Sequence, residues 1–453
     1  MNLGAQRTES GRIPISSLTR QHPLQDGELL LLGAHASVTG AMTRIETGQR
    51  RILVDCGIPQ GAEAFEWQLD DAALDVDAVV LTHGHHDHVG SLPTLIERGY
   101  AGPIYGTPAT LALARLVLED GLELQGMGRE DSKRLMSELD ARFRPLRLDT
   151  TESLGGSVEF EFREAGHILG SASVELWSDR TRLICSGDLG RPSSPLLCDY
   201  QTQWNATRNV DLVLLESTYG DEEHRHSHDD VEKELERILV RAVERRGHVL
   251  IPAFAIGRTQ TLLYHLNSLV EAGRIPPIPV AVDSPLGIGV TQTYAQFSRL
   301  FDRESLDKIA RGDDPLDFAN LYGVKRHEHS QRLGELPGPL LIIAGSGMCT
   351  GGRVVGHLRR LLPLEQSTIL FVGYQAEGTP GRAIQRAAAR GGRVWLDHEE
   401  VKVRAEVETL GGLSAHADRR ELARWLAAIP NVQQVALHHG EPKAQRAFAA
   451  WYG

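Results

Sequence analysis

The sequence predicts an α/β protein in which one αββα-type domain is interrupted by a second α/β domain. Two observations carry that expectation. Short, continuously apolar, β-branched runs recur along the chain and stop at glycine or histidine loops, the pattern of buried strands. In the second half these runs alternate with helical sequence, which implies a parallel sheet covered by helices. A length of 453 residues also exceeds what one hydrophobic core usually holds.

The elements follow in order. Leu29 to Cys56 reads as two strands, "ELLLLGAHASVTG" and "RRILVDCG", each closing on glycine. "VDAVVLTH" is a buried-type strand expected to run to His83, so that a histidine-rich loop hangs from its end, where α/β proteins place ligands. "SLPTLIERG" and "TPATLALARLVLEDGLEL" have helical spacing. "VEFEFREAGHILGSASVELWS" and "TRLICSGDLG" return to strands. "DDVEKELERILVRAVERRG" is an amphipathic helix with Asp229 as its expected cap. Beyond it, "HVLIPAFAIGR", "IPVAVDSP", "PLLIIAGSGMCTGG" and "STILFVGYQAEG" are strands that each run into a loop. The expected division is 1–218 for the first part of the outer domain, 219–400 for the insertion and 401–453 for the return.

Composition narrows the class. Hydrophobic content of 41% and charged content of 24% are ordinary for a globular protein. Cys56, Cys185, Cys198 and Cys349 form no C-x-x-C pair, which argues against a thiolate zinc site and suits a reducing, cytoplasmic setting. The first 21 residues are polar and the run from Leu29 is too short to span a bilayer, so no membrane association is expected. A net charge of −12 opposes nucleic-acid binding unless a local electropositive site exists.

The chemistry is concentrated in "LTHGHHDHVGSLPTL", four histidines and an aspartate within six residues. In an extended segment alternate side chains share a side, so His83 and His85 can address one ion, with Asp87 and His88 just beyond for a second. Further imidazoles and carboxylates stand in Gly-flanked loops at strand ends: His167 in "EAGHILGSA", Asp188 in "CSGDLGR" and His439 in "ALHHGEP". Nitrogen and oxygen ligands without cysteine suit a hydrolytic zinc centre with an open position for water. The tract around His224, His226 and His228 reads as a solvated loop before a helix, with an additional metal site as the alternative.

These motifs, with Asp55 of "LVDCG", Glu216 of "LLESTYGD" and His416 of "LSAHAD", make the chain resemble the β-CASP branch of the metallo-β-lactamase superfamily. That branch includes bacterial ribonuclease J and the nuclease subunit of the cleavage and polyadenylation complex. The resemblance runs from about Leu29 to the C-terminus. It implies the αββα metallo-β-lactamase fold with an inserted β-CASP domain, and two zinc ions per chain. His83, His85 and His167 would bind one zinc, and Asp87, His88 and His439 the other, with Asp188 bridging; Asp55 would orient the histidine loop from behind. His86 falls at the variable position of the motif and is read as non-ligating, and His439 is preferred over His438 on its H-G-E match. Asp87, Asp188, Glu216 and His416 would be the catalytic group, with His416 as general acid held by Glu216.

The resemblance also implies single-stranded RNA as the partner, because RNA-processing members carry histidine where DNA-repair members commonly carry valine. The reaction would be phosphodiester hydrolysis, endonucleolytic or 5′-exonucleolytic or both, and a homodimer is compatible with it. Arg258, Ser346, Arg353, Arg382 and Ser414 are the expected substrate contacts, since Gly-rich turns expose N–H groups and arginine binds phosphate bidentately. Two other classes stay open: a dinuclear zinc hydrolase of a small ester, thioester or lactam, and a non-catalytic RNA-binding subunit. The complete ligand set disfavours the last, and the Glu216/His416 pair the first.

Overall fold

A computed structural model describes residues 13–60, 67–225 and 227–453. The chain divides into two units, one formed by the chain up to Glu223 and again from Ala415 to Gly453, the other by His224–Ser414.

The first unit stacks two seven-stranded sheets. One runs Gln21–Leu24, Gly27–Gly33, Met42–Thr47, Arg50–Val54, Ala78–Val80, Ile104–Gly106 and Phe143–Pro145, in chain order from edge to edge. The other is ordered Ile15–Ser16, Val435–His438, Leu212–Glu216, Arg182–Cys185, Ala172–Trp177, Val158–Glu164 and Glu152–Gly155. Their facing sides share one apolar core, to which Leu31, Ile45, Ile52, Val54 and Val80 contribute from the first sheet and Phe160, Phe162, Val174, Leu183 and Leu214 from the second. Alternation does the rest. Along Leu212–Glu216, Leu214 points into that core, while Val213 and Leu215 pack outward with Trp425 and Phe448 of the helices Arg419–Ala427 and Pro442–Tyr452. Layers of helix, sheet, sheet and helix result.

Three strands, not the expected two, lie between Leu29 and Cys56. The additional strand, Met42–Thr47, is joined to Arg50–Val54 by Gly48 and Gln49, both at positive φ (53° and 63°). Two left-handed residues are what a two-residue hairpin needs to follow the twist of its strands. The buried strand before the histidines is also shorter than expected and ends at Val80. Leu81–His85 leave it as a loop, and His86–Val89 close one helical turn in which Val89 N–H and Gly90 N–H donate to the carbonyls of His85 and His86.

The second unit is built on a six-stranded, wholly parallel sheet ordered Leu321–Gly323, Val280–Asp283, Leu340–Ala344, His248–Pro252, Thr368–Phe371 and Glu406–Thr409. An antiparallel hairpin, Arg393–Leu396 with Glu399–Lys402, stands apart from it. Because Glu406–Thr409 completes the sheet beside Thr368–Phe371, this unit extends past residue 400 and the return falls at Ala415. Its first helix, His228–Glu244, is capped by Ser227, whose hydroxyl accepts from Asp230 N–H, and not by Asp229. His226 and the side chain of His228 lie outside the described residues. Among the described residues no helix is long and apolar enough to cross a membrane.

Candidate metal centre

Everything in the candidate centre belongs to the first unit, and most of it sits in the loops that follow its strands. Its foundation is the turn after Arg50–Val54. Asp55 adopts a left-handed φ of 60°, a strained conformation for a residue with a β-carbon, and this turns its carboxylate back under the histidine loop. Asp55 Oδ1 accepts the Thr82 N–H (2.8 Å), and Oδ2 accepts the Thr82 hydroxyl (2.8 Å) and lies 2.8 Å from His88 Nδ1. Holding Nδ1–H in this way fixes the His88 tautomer and leaves Nε2 as the outward donor atom. Gly57 completes the platform. A β-carbon there would overlap the Asp87 carbonyl oxygen, and only glycine lets the loop come so close.

Two sets of donor atoms form above this base, each with its members within 4.8 Å of one another: His83, His85, His167 and Asp188, and then Asp87, His88 and His439. Asp188 stands between them. Its Oδ2 is 3.6 Å from His83 Nε2, 3.6 Å from His167 Nε2 and 3.4 Å from His88 Nε2, while Oδ1 is 3.4 Å from His439 Nδ1. His439 follows the strand Val435–His438 at a left-handed φ of 46°, with Nε2 3.7 Å from Asp87 Oδ2. His438, its neighbour, is turned elsewhere. Its ring is buried with no hydrogen-bond partner on either nitrogen among the described residues, and burial depresses its pKa to about 3. His86 also faces away, its Nε2 3.3 Å from where a β-carbon on Gly121 would stand.

The electrostatics of the protein alone suit a cation. His83 Nε2 and His85 Nδ1 are 3.0 Å apart, His167 Nε2 and His85 Nδ1 3.3 Å, and His88 Nε2 and His439 Nε2 3.3 Å. Lone pairs aimed at each other over such distances repel unless a proton or cation lies between them. Burial drives His83 and His167 well below the ordinary imidazole range and His85 to about 4. Burial opposes the charge on His88 too, but Asp188 and Asp55 hold that imidazole well above the usual range. Asp188 has the reverse balance. Burial would raise it, yet His439, His88 and His83 keep it well below the carboxylate range, and its Oδ1 has no hydrogen-bond partner among the described residues. A buried, unpartnered carboxylate oxygen surrounded by imidazole nitrogens fits a divalent cation better than a hydrogen-bonded core.

Beside the donor sets lies a third group, Asp188, Glu216 and His416. Glu216 is fully buried at the end of Leu212–Glu216 and accepts Leu189 N–H (2.7 Å) and Thr218 N–H (3.2 Å). Its Oε1 is 3.3 Å from His416 Nδ1, which is itself 3.9 Å from Asp188 Oδ2. Burial works against a charged imidazole here, but the Glu216 carboxylate, aided by Asp188 and Asp87, raises His416 to about 9. The sequence reading had no place for Thr82, whose hydroxyl links Asp55 to the His83 ring (3.1 Å). Its only sequence signal is its position directly before the first histidine.

The expected substrate contacts of the second unit stand at the carboxyl ends of its parallel strands. Arg258 opens the helix after His248–Pro252, and Ser346 accepts Thr350 N–H in the loop after Leu340–Ala344. Arg382 lies in the first turn of the helix Pro380–Ala388, and Ser414 is the unit's last residue. Arg353 has most of its donors engaged locally. Nη1 donates to Asp283 Oδ1 (2.6 Å) and the Val324 carbonyl (2.8 Å), and Nη2 to the Lys325 carbonyl (2.6 Å).

This fold and this donor set define a class. The chain belongs to the metallo-β-lactamase superfamily and, within it, to the β-CASP family of RNA-processing nucleases. Residues 38–248 match the metallo-β-lactamase superfamily, 259–384 the β-CASP domain, and 400–452 a Zn-dependent metallo-hydrolase RNA specificity domain. Ribonuclease TTHA0252 of Thermus thermophilus is 40% identical across 90% of this chain and 92% of its own. The transcription termination factor FttA of Methanocaldococcus jannaschii is 30% identical over 90% of this chain and 66% of its own, and that of Methanosarcina mazei 29% over 91% and 67%. The crystal structure of a protein of unknown function from Enterococcus faecalis V583 shares the fold, with a TM-score of 0.53 at 13% identity over 92% of this chain and 95% of that one.

Proposed function

We propose that the protein is a zinc-dependent ribonuclease that hydrolyses phosphodiester bonds of single-stranded RNA. The observation that carries this reading is the joint presence of two converging His/Asp donor sets and, beside them, an imidazole held 3.3 Å from a buried carboxylate. His83, His85, His167 and Asp188 would hold one zinc, and Asp87, His88, His439 and the same Asp188 a second. Two such ions supply Lewis acidity and a nucleophilic water at neutral pH for an in-line displacement. Asp55 and Thr82 keep the ring tautomers fixed so that donor atoms need not reorganise on binding. Glu216 holds His416 Nδ1–H, so the second ring nitrogen can deliver a proton to the leaving 3′ oxygen. Without that proton an alkoxide would have to depart, which is why a nuclease needs the pair and a hydrolase of activated esters does not. Arg258, Ser346, Arg382 and Ser414 are the proposed contacts to substrate phosphates.

Digestion of RNA labelled at one end, run with elemental analysis of the same sample, tests the proposal. Cleavage products ending in 5′-phosphate and 3′-hydroxyl, with about two zinc ions per chain, are expected. Protein that carries no more than trace metal and gains no activity when zinc is added overturns it.

A further inference from the structure

Beside Arg382, a proposed phosphate contact, the second unit carries three further arginines that the proposed function does not use. A cavity of about 410 Å³ is lined by four arginines, Arg382, Arg386, Arg390 and Arg393, and by no carboxylate. Arg382 and Arg386 stand one turn apart on the helix Pro380–Ala388, and Arg390 follows four residues later in the closing turn. Four helical residues rise about 6 Å, comparable to the separation of successive phosphates along an extended nucleic-acid strand. Arg393 enters from the first strand of the hairpin, where exposed and buried residues alternate, so that Arg393 and Trp395 share the outer face. Trp395 is 70% exposed, more than any other aromatic side chain among the described residues.

A second cavity differs in having carboxylates in its own wall, where Glu161 and Glu175 stand among Arg163, Arg182 and Arg208. Here the acidic partners stand outside the wall. Glu377 meets Arg382 (3.2 Å) and Arg386 (2.8 Å), and Glu400 meets Arg393 (2.7 Å). All of these pairs are solvent-exposed, the kind that contributes little to stability and yields readily to a stronger anion. Two carboxylates set against four arginines leave this wall net positive within a chain of net charge −12, which suits a polyanion.

We infer that this cavity and Trp395 form an accessory RNA-binding surface, in which the arginines hold consecutive backbone phosphates of a single strand and the indole stacks on a base. An electropositive groove beside an exposed aromatic is the combination that binds single strands without sequence preference. The inference rests on the ribonuclease reading and assigns it a grip on RNA separate from the phosphate that reacts.

The test compares the parent protein with Arg386→Ala/Arg390→Ala, Arg386→Lys/Arg390→Lys and Trp395→Ala on a long unstructured RNA and on an activated aryl phosphodiester. The aryl ester has a single phosphate and leaves none for the cavity. The alanine pair is expected to flatten the slope of log affinity against log salt by about 1.4, roughly 0.7 per lost contact to a single strand. The lysine pair, which keeps the charge, should retain the parent slope. Trp395→Ala should weaken RNA binding about five- to a hundredfold with the slope unchanged. Turnover of the aryl ester should match the parent in all three. Parent-like slopes and affinities in every variant, from a parent that does cleave RNA, overturn the accessory surface alone. Variants that lose binding to polyglutamate but not to RNA also overturn it, since the surface would then serve an acidic protein. A parent that neither binds nor cleaves RNA overturns the ribonuclease reading itself.

Discussion

His416 is the residue on which the proposed chemistry can be separated from metal binding. It stands 3.3 Å from Glu216 and belongs to neither donor set, so His416→Ala should keep its metal and its affinity for RNA. Turnover should nevertheless fall about 10²–10⁴-fold, the usual worth of a positioned proton donor. The loss should shrink on an aryl phosphodiester whose leaving group needs no proton. Glu216→Gln supplies the matching pH test. The acid form of His416 is the competent one, so activity declines as pH rises through a pKa held near 9. Removing the carboxylate charge lowers that pKa, and the alkaline limb of the pH–rate profile should move to lower pH. An unmoved limb, or loss of metal from His416→Ala, would make the pair structural.

The element that sets the donor geometry is the turn Asp55–Gly57 packed under the loop and helical turn from Leu81 to Val89. Its close packing makes a glycine comparison informative. In Gly57→Ala the new methyl meets the Asp87 carbonyl, so the loop must shift, at a cost of about 1–3 kcal/mol and with loss of bound metal. Gly356 lies inside the helix Arg353–Leu361 with open space where its β-carbon would be. Gly356→Ala should therefore stabilise by about 0.5–1 kcal/mol. Urea midpoints for the two variants, with metal content for the first, check both expectations; equal midpoints would show that the turn is not packed as described. The same element shows why sequence periodicity stopped short. One helical turn of four residues is too brief to show a 3.6-residue period, and the Gly48–Gln49 hairpin has no pair of turn formers strong enough to mark the end of Met42–Thr47.

Across the molecule, metal and stability are coupled, because the centre buries imidazoles and carboxylates of like kind together. With metal removed by a chelator, His83, His85 and His167 resist protonation in the fold, His85 down to about 4, and His438 to about 3, but take up protons freely near pH 6.5 when unfolded. Groups with depressed folded-state pKa values bind more protons unfolded, so stability drains away as pH falls from about 6.5 toward 3. His88 and His416, raised in the fold, contribute oppositely: their stabilisation is full below pH 6.5 and fades as pH rises, for His416 through about 9. Thermal midpoints of the chelated protein should therefore drop between pH 7.5 and pH 5, and at pH 7.5 added zinc should raise the midpoint by binding the folded state in preference to the unfolded one. A midpoint insensitive to chelation would mean that the centre holds no metal in solution.

The sequence by itself determined what is local. His83, His85, Asp87 and His88 share one short stretch, so their chemistry is written within a few residues, and the strand and helix periods that define an α/β chain repeat every two or four. His167, Asp188 and His439 stand out as candidates by their Gly-flanked loops at strand ends, but Asp55, Glu216 and His416 could be picked out only through a family resemblance, because nothing in their own neighbourhoods says what they face. Tertiary structure decided the rest. It was sheet order that brought Leu212–Glu216 beside Val435–His438, more than two hundred residues later, and so set Glu216 and His439 at adjacent strand ends. Tertiary packing likewise engaged Arg353 with Asp283, and gathered four arginines from a helix and a hairpin into one wall. Spacing along a chain specifies which side chains share a face. Which faces meet depends on strand pairing and burial between distant segments, and these are properties of the folded chain.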